Sequence, residues 1–247
     1  MRIQRSAEHR VVPWANGLGV TADVFLSPPD TDDWTWRLSI ADVSNDLPFS
    51  CMPGIDRHIL VAMGEGMALT IDGAPELRMD RKTPPLTFAG ESATKCRLLD
   101  GPIADLNLMT RRGRATGRLR VVAVPSATAV VPERADVAVV VLDGVLTMDG
   151  AELMPFDAVL LGSSAQAGRL LGGATGARLA IATIDPARVE DTATARVRGS
   201  RDASADIEYC VMAPAVVDLF EMVEVQHEHG ARWPVSGHRR DVPGELR

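Results

Sequence analysis

Residues 48–73 read PFSCMPGIDRHILVAMGEGMALTIDG, and residues 86–113 read LTFAGESATKCRLLDGPIADLNLMTRRG. An apolar-rich run at 57–63 is broken by Gly64-Glu65-Gly66 and resumes at 67–71. Asp72-Gly73 then supplies the pair that favours a two-residue hairpin turn, because glycine takes positive φ without steric cost. The order is strand, tight turn, strand, turn. A last strand at 105–111 alternates, with Asp105, Asn107, Met109 and Arg111 on one face and Leu106, Leu108 and Thr110 on the other. A carboxylate, an amide and a thioether on one face are an odd choice for a core and a reasonable one for a pocket wall.

Working outward, the same period recurs. Pro13-Trp14-Ala15-Asn16-Gly17-Leu18-Gly19 reads as a tight loop that brings backbone close to something. No helix signal or P-loop lysine follows it, so it is not a nucleotide fingerprint. Residues 20–26 form a β-rich run, and 34–43 alternate with Arg37, Ser39 and Ala41 on one face and Trp36, Leu38 and Ile40 on the other. After a short polar linker at 113–117, strand candidates fall at 119–124, 137–142, 145–148, 158–161 and 178–184, with hairpin signals at Asp143-Gly144 and Asp149-Gly150. No stretch up to residue 185 holds a helical period.

Leu69-Thr70-Ile71-Asp72-Gly73 is echoed by Leu146-Thr147-Met148-Asp149-Gly150, each after a glycine-broken apolar run. The echo favours duplication. The expectation is an all-β chain of two barrel or jelly-roll units, 1–112 and 113–185. Residues 186–247 then form a linker and C-terminal extension: polar at 189–206, apolar enough at 207–225 for a strand and short helix, and a tail at 237–247.

Composition bounds the function. The chain has 247 residues, 46% of them hydrophobic, a net charge of −7 and a pI near 5.3. This argues against nucleic acid as a partner, since a phosphate backbone needs a basic footprint. No apolar run approaches the ~20 residues of a membrane span, and no signal peptide opens the chain, so a cytoplasmic location is expected. Cys51, Cys96 and Cys210 are far apart and odd in number, which favours buried reduced thiols.

Barrel strands alternate between lumen and exterior. If the faces carrying Arg37 and Ser39, Arg57, and Asp105, Asn107 and Met109 share one lumen, it holds two guanidiniums and one carboxylate. Buried charges are costly unless paired. Asp105 neutralises only one arginine, which leaves the other for a ligand anion, and guanidinium forks suit carboxylates. Asn107 and Ser39 supply hydrogen bonds for an amide or formyl group. The competing reading makes Arg57 a structural partner of Asp56 or Asp105 and Arg37 a solvated strand residue.

The hairpin also resembles the cupin pattern G(X)5HXH(X)3–4E(X)6G, with Arg57 and Gly64 as its E(X)6G tail and arginine in place of the acid. The histidine positions fall on Ser50 and Met52 or on Cys51 and Pro53, and the second motif becomes Phe88-Ala89-Gly90 with Ala93 at its histidine. No imidazole stands at any of them, so no metal or other cofactor is expected there. His9 and His58 read as isolated, satisfied or solvent-facing residues, and His227-Glu228-His229 as a surface feature. No G-x-S-x-G elbow or inferable Cys–His pair supports nucleophilic catalysis.

Trp14-x-Asn16-Gly17-x-Gly19-x-Thr21, Trp36-Arg37-Leu38-Ser39-Ile40-Ala41, Pro48-Phe49-Ser50-x-x-Pro53-Gly54-x-Asp56-Arg57 and Leu99-Asp100-Gly101-Pro102-x-x-Asp105-Leu106-Asn107-Leu108-Met109 occur in this order. Together they closely resemble the HutD/Ves family, over about residues 1–185. The resemblance implies a bicupin fold of RmlC-like jelly rolls without the usual metal. It also implies association with bacterial histidine utilisation, as a regulatory binder whose proposed ligand is N-formyl-L-glutamate. Leu18 and Ala22-Asp23 depart from the family pattern. Carried over by position, the ligand-binding set is Asn16, Thr21, Arg37, Ser39, Arg57, Asp105, Asn107 and Met109, with no catalytic residue assigned. The expected partner is a small anionic metabolite, and a homodimer is left open. The alternatives are a metal-independent isomerase or amide hydrolase using Asp105, and a stress-related protein-interaction module.

Overall fold

Period-two alternation between closely spaced turns leaves no room for a helix, and the described residues are nearly all strand. The computed structural model describes residues 1–14, 19–29, 31–124, 127–130, 135–162 and 168–187. Asn16, Gly17 and Leu18, and all features expected beyond residue 187, including Cys210, His227, Glu228, His229 and His238, lie outside the described residues.

In chain order the strands are β1 (Arg2–Gln4), β2 (Arg10–Pro13), β3 (Gly19–Ser27), β4 (Trp36–Val43), β5 (Leu47–Pro48), β6 (Ile55–Met63), β7 (Met67–Ile71), β8 (Leu77–Met79) and β9 (Leu86–Ala89). They continue with β10 (Thr94–Leu98), β11 (Ile103–Arg111), β12 (Ala115–Val124), β13 (Ala127–Val130), β14 (Asp136–Met148), β15 (Ala151–Leu153), β16 (Ala158–Leu161) and β17 (Gly168–Pro186). One 3-10 turn, Ser6–Glu8, is the only helical element among the described residues. None of them forms a helix long and apolar enough to cross a membrane.

A six-stranded sheet runs β2-β3-β4-β11-β6-β9, and a four-stranded sheet runs β5-β10-β7-β8. Between them lies an apolar core of Val43, Ile59, Val61, Met67, Leu69, Met79, Cys96 and Ile103. The opposite face of the six-stranded sheet carries Leu38, Ile40, Leu60, Leu106 and Leu108, which pack on Ala138, Val140, Ala180, Ala182 and Ile184. Those residues belong to a seven-stranded sheet built on β1-β16-β14-β17-β12. The central sheet is therefore covered on both sides, which explains why β11 is buried along nearly its whole length. Burying each such Leu or Ile contributes about 1.5–3 kcal/mol. β1 pairs with β16, so the N-terminal strand joins the C-terminal sheet.

The fold is all-β and of the cupin barrel type. Asp72-Gly73 and Asp149-Gly150 both turn with positive φ, and Asp149-Gly150 joins β14 to β15 as a two-residue hairpin. Asp143-Gly144 does not reverse the chain. The two strands expected around it are one, β14, whose register with β17 slips on both sides of this pair. Gly144, at φ 78°, faces the Gly176 carbonyl so closely that a side chain has no space. The positive φ is absorbed as a bulge that bends the strand, an outcome that a local turn signal does not separate from a hairpin. The bent strand then packs on itself, with Val137, Val139 and Val141 in one core with Leu146 and Met148. The expected linker at 113–117 is strand from Ala115 onward, because Ala115 is drawn into the core beside Leu108.

Candidate functional site

Strand register decides which polar groups meet. On β11, Met109 lies opposite Arg37 of β4 and Arg57 of β6, Asn107 lies between Ser39 and Ile59, and Asp105 lies between Ala41 and Val61. On the far side of β4, Ser39 pairs with Asp23 and Ala41 with Thr21 of β3. These residues alternate with the apolar face described above, so they look into the space between the six-stranded and four-stranded sheets. Thr21, Arg37, Ser39, Arg57, Asp105, Asn107 and Met109 are thus brought to one face, and Asn16 lies outside the described residues.

Arg57 is 6% exposed. Its Nη2 donates to Asn107 Oδ1 at 2.9 Å, while its Nε has no partner among the described residues. Its guanidinium carbon stands 4.7 Å from the Phe49 ring centre and 5.4 Å from that of Phe88. No carboxylate reaches it as an ion pair among the described residues: Asp56 pairs instead with Arg112 at 2.9 Å. Burial lowers the Arg57 pKa, Asp105 pulls it back up, and Arg37 lowers it further.

Asp105 is 1% exposed and accepts a short hydrogen bond from Asn107 Nδ2. Asn107 is therefore a relay, its carbonyl toward Arg57 and its amide N–H toward Asp105. Burial pushes the Asp105 carboxyl up to about 7, against the opposing pull of Arg57 and Asn107. Across the gap, the Cys96 thiol is pushed up to about 12, mainly by burial and then by Asp105, and so stays neutral. Ser39 Oγ is buried without a partner among the described residues. Thr21 Oγ1 accepts from Trp14 Nε1 at 2.7 Å.

The charge count over Asp105 leaves open which arginine is spare, and in the structure Arg37 has a carboxylate of its own. Asp23 Oδ1 lies 2.7 Å from its Nε and 2.5 Å from its Nη2. The same carboxylate reaches Arg10 at 3.4 Å. Of these two arginines, Arg57 is the one without a carboxylate partner among the described residues. Asp23 escaped the site assignment because the 20–26 run is read only as a β-rich strand, with no faces assigned; in the structure Thr21 and Asp23 pair in step with Ala41 and Ser39, and the register slips only after Asp23. Phe49 and Phe88 escaped it because apolar residues carry no polar signal.

The fit to a divalent metal is poor. Arg57 occupies the position of the cupin carboxylate ligand, and among the described residues no three His, Cys, Asp or Glu groups converge. Two histidines differ in setting. His58 Nδ1 lies 2.8 Å from Thr87 Oγ1, whereas His9 is buried with neither ring nitrogen partnered among the described residues, although a satisfied or exposed role was expected. The Ser6–Glu8 turn and the Arg5–Asp157 pair at 2.8 Å hold the segment around it down. Cys51 is exposed and Cys96 buried, so only one of these two thiols is enclosed as expected.

The profile of the HutD family matches residues 6–181. The chain belongs to the HutD family. This HutD-family chain is 38% identical over 110 residues to the protein Ves of Citrobacter koseri, covering 44% of the chain and 56% of the relative. It is 37% identical over 121 residues to an uncharacterised 21.2 kDa protein of Pseudomonas putida named for its place 3′ of hutC, covering 49% and 63% respectively. The match thus spans less than two thirds of either relative. Among solved structures, HutD from Pseudomonas fluorescens SBW25, described for a formate condition, aligns with a TM-score of 0.66 at 28% identity over 75% of this chain and 98% of its own.

Proposed function

We propose that this HutD-family chain binds a small anionic metabolite between the two sheets of residues 1–112 and acts as a regulatory binder in histidine utilisation. The observation that carries the reading is Arg57, a guanidinium buried, among the described residues, without a carboxylate partner and with Nε unsatisfied. Leaving such a donor unmet costs about 1–3 kcal/mol, and a ligand oxygen removes that cost. Ser39 offers a second unmet hydroxyl nearby, suited to an amide or formyl oxygen. N-formyl-L-glutamate combines both chemistries, and the P. putida relative's name places it beside hutC, a histidine-utilisation locus. Residues 113–185 are read as a second, degenerate barrel that backs the first.

The test is a thermal-shift series with histidine, urocanate, formiminoglutamate, N-formyl-L-glutamate and glutamate. A ligand bound only by the native state raises the Tm. The expected result is a rise with an anionic amide and none for Arg57→Met, a variant checked for folding by circular dichroism. No rise with any of the five overturns the reading.

One observation favours a second reading. A carboxyl poised at about 7 suits general acid–base work, so Asp105 fits a metal-independent isomerase or amide hydrolase. Turnover of N-formyl-L-glutamate or a related amide, lost in Asp105→Asn, would establish it. Saturable binding without turnover supports the binder.

A further inference from the structure

The charges between the two sheets can be counted group by group. Arg37 of β4 is neutralised by Asp23 of β3, which also faces Arg10 of β2. From β6 comes the cation Arg57, and from β11 come Asp105 and its neutral relay Asn107. From β10 comes Cys96, a neutral thiol with Met67 of β7 3.8 Å from its sulfur. Ser39 and Thr21 complete the polar set. Arg10 is exposed to solvent; without it, the enclosed set is neutral overall with Asp105 ionised. With Asp105 protonated it carries one positive charge, on Arg57.

Resting on the reading that Arg57 receives an anion, we propose that the site takes up one carboxylate together with one proton, the proton residing on Asp105. The physical reason is the relay. A guest carboxylate on Arg57 takes over the cation that otherwise steadies the Asp105 anion through Asn107. Two carboxylates then share one guanidinium in a space of low dielectric, and like charges so placed do not both stay ionised. Protonation of Asp105 restores neutrality, and its O–H becomes a donor in the same space. The proton comes from solvent, and no covalent bond of the guest changes. The ligand class follows: a compound presenting a single carboxylate to the interior, with any second charge held outside the gap.

The test uses the whole protein and two probes, N-formylglycine with one carboxylate and N-formyl-L-glutamate with two. Isothermal titration at pH 8 in buffers of differing ionisation enthalpy should show about one proton taken up per anion bound. Between pH 8 and 9, above the titration of free Asp105 and of both described histidines, Kd should weaken by up to about tenfold per pH unit for both probes. The isosteric Asp105→Asn should bind with no proton uptake and no such slope. Binding by the unaltered protein with a buffer-independent enthalpy and a flat Kd overturns the proton coupling and leaves the anion site standing. A steeper loss for one probe alone, or a slope retained in Asp105→Asn, assigns the proton elsewhere and also overturns it. Absence of binding by both probes at every pH overturns the anion site and this inference together.

Discussion

Asp23 holds Arg37 through a single oxygen, Oδ1, at 2.7 Å from Nε and 2.5 Å from Nη2, while Oδ2 lies 3.4 Å from Nε of Arg10. One carboxylate on β3 thereby restrains guanidiniums from the strands on both sides of it. Asp23→Asn should destabilise the protein by about 1–3 kcal/mol, since it leaves a largely enclosed guanidinium without its counter-charge. Arg10 is exposed and should contribute little. Urea denaturation of Asp23→Asn and Arg10→Gln measures the contrast, and equal losses would contradict it.

Arg57 has the opposite character. It has no carboxylate partner among the described residues, so replacing it with an apolar side chain of similar length removes a desolvation penalty rather than an ion pair. Arg57→Met should unfold at the same temperature as the unaltered protein or higher, yet lose anion binding. A drop of several degrees in Tm would identify Arg57 as a structural residue.

Asp105 makes stability depend on pH. Its native carboxyl titrates at about 7 against 3.8 for the free side chain. Between these values the native state keeps a proton that the unfolded chain has lost, so stability falls as pH rises through that window. The full difference is roughly 4 kcal/mol as an upper bound. Chemical denaturation at pH 5 and pH 7.5 should show the decline in the unaltered protein and a flatter profile in Asp105→Asn.

His9 works in the other direction. Burial lowers its pKa below 6.5, outweighing Asp157, Glu8 and Asp23, which raise it. The unfolded chain therefore takes a proton first on acidification, and the stability associated with neutral His9 is present above pH 6.5 and lost below it. His58 shifts the same way, with burial outweighing Asp56. His9→Phe should be less sensitive between pH 6.5 and 5, measured by the same denaturation series, and His58→Phe gives the comparison.

Gly144 tests the bulge. At φ 78° and hard against the Gly176 carbonyl, Gly144→Ala should destabilise by at least about 1 kcal/mol, whereas Gly150→Ala, in an open hairpin turn, should lose less. Thermal melts of the two variants rank them.

The shared face of most of the candidate residues was legible in the sequence. The alternation in 105–111 and 34–43 places Asp105, Asn107, Met109, Arg37 and Ser39 on pocket-facing positions, because a strand's side-chain period is two whatever it pairs with. Arg57 came with the hairpin that carries it. Asp23 was missed because the spacing along β3 does not show that a carboxylate there meets a guanidinium of the neighbouring strand; the pairing of Asp23 with Ser39 shows it. Phe49 and Phe88 were missed because their role around Arg57 arises only when Phe88, opposite it on β9, and Phe49, just after β5, close on one side chain. Gly19 shows a milder case. The sequence marks a close approach there, and the structure identifies what approaches: an added Cβ would stand 2.6 Å from both the Trp14 ring and the Asp42 carbonyl.

The amino-acid order by itself determined an all-β chain, the face on which each polar group lies, and membership of a family built on this barrel. These are local properties, set by backbone period, turn stereochemistry and motif order. Which carboxylate neutralises which arginine was decided only by the tertiary structure. Asp23 and Arg37 are 14 residues apart and Arg57 and Asn107 are 50 apart, and only strand register brings each pair within hydrogen-bonding distance. Coulomb energy depends on distance and on burial, neither of which is written in the spacing of residues along a chain.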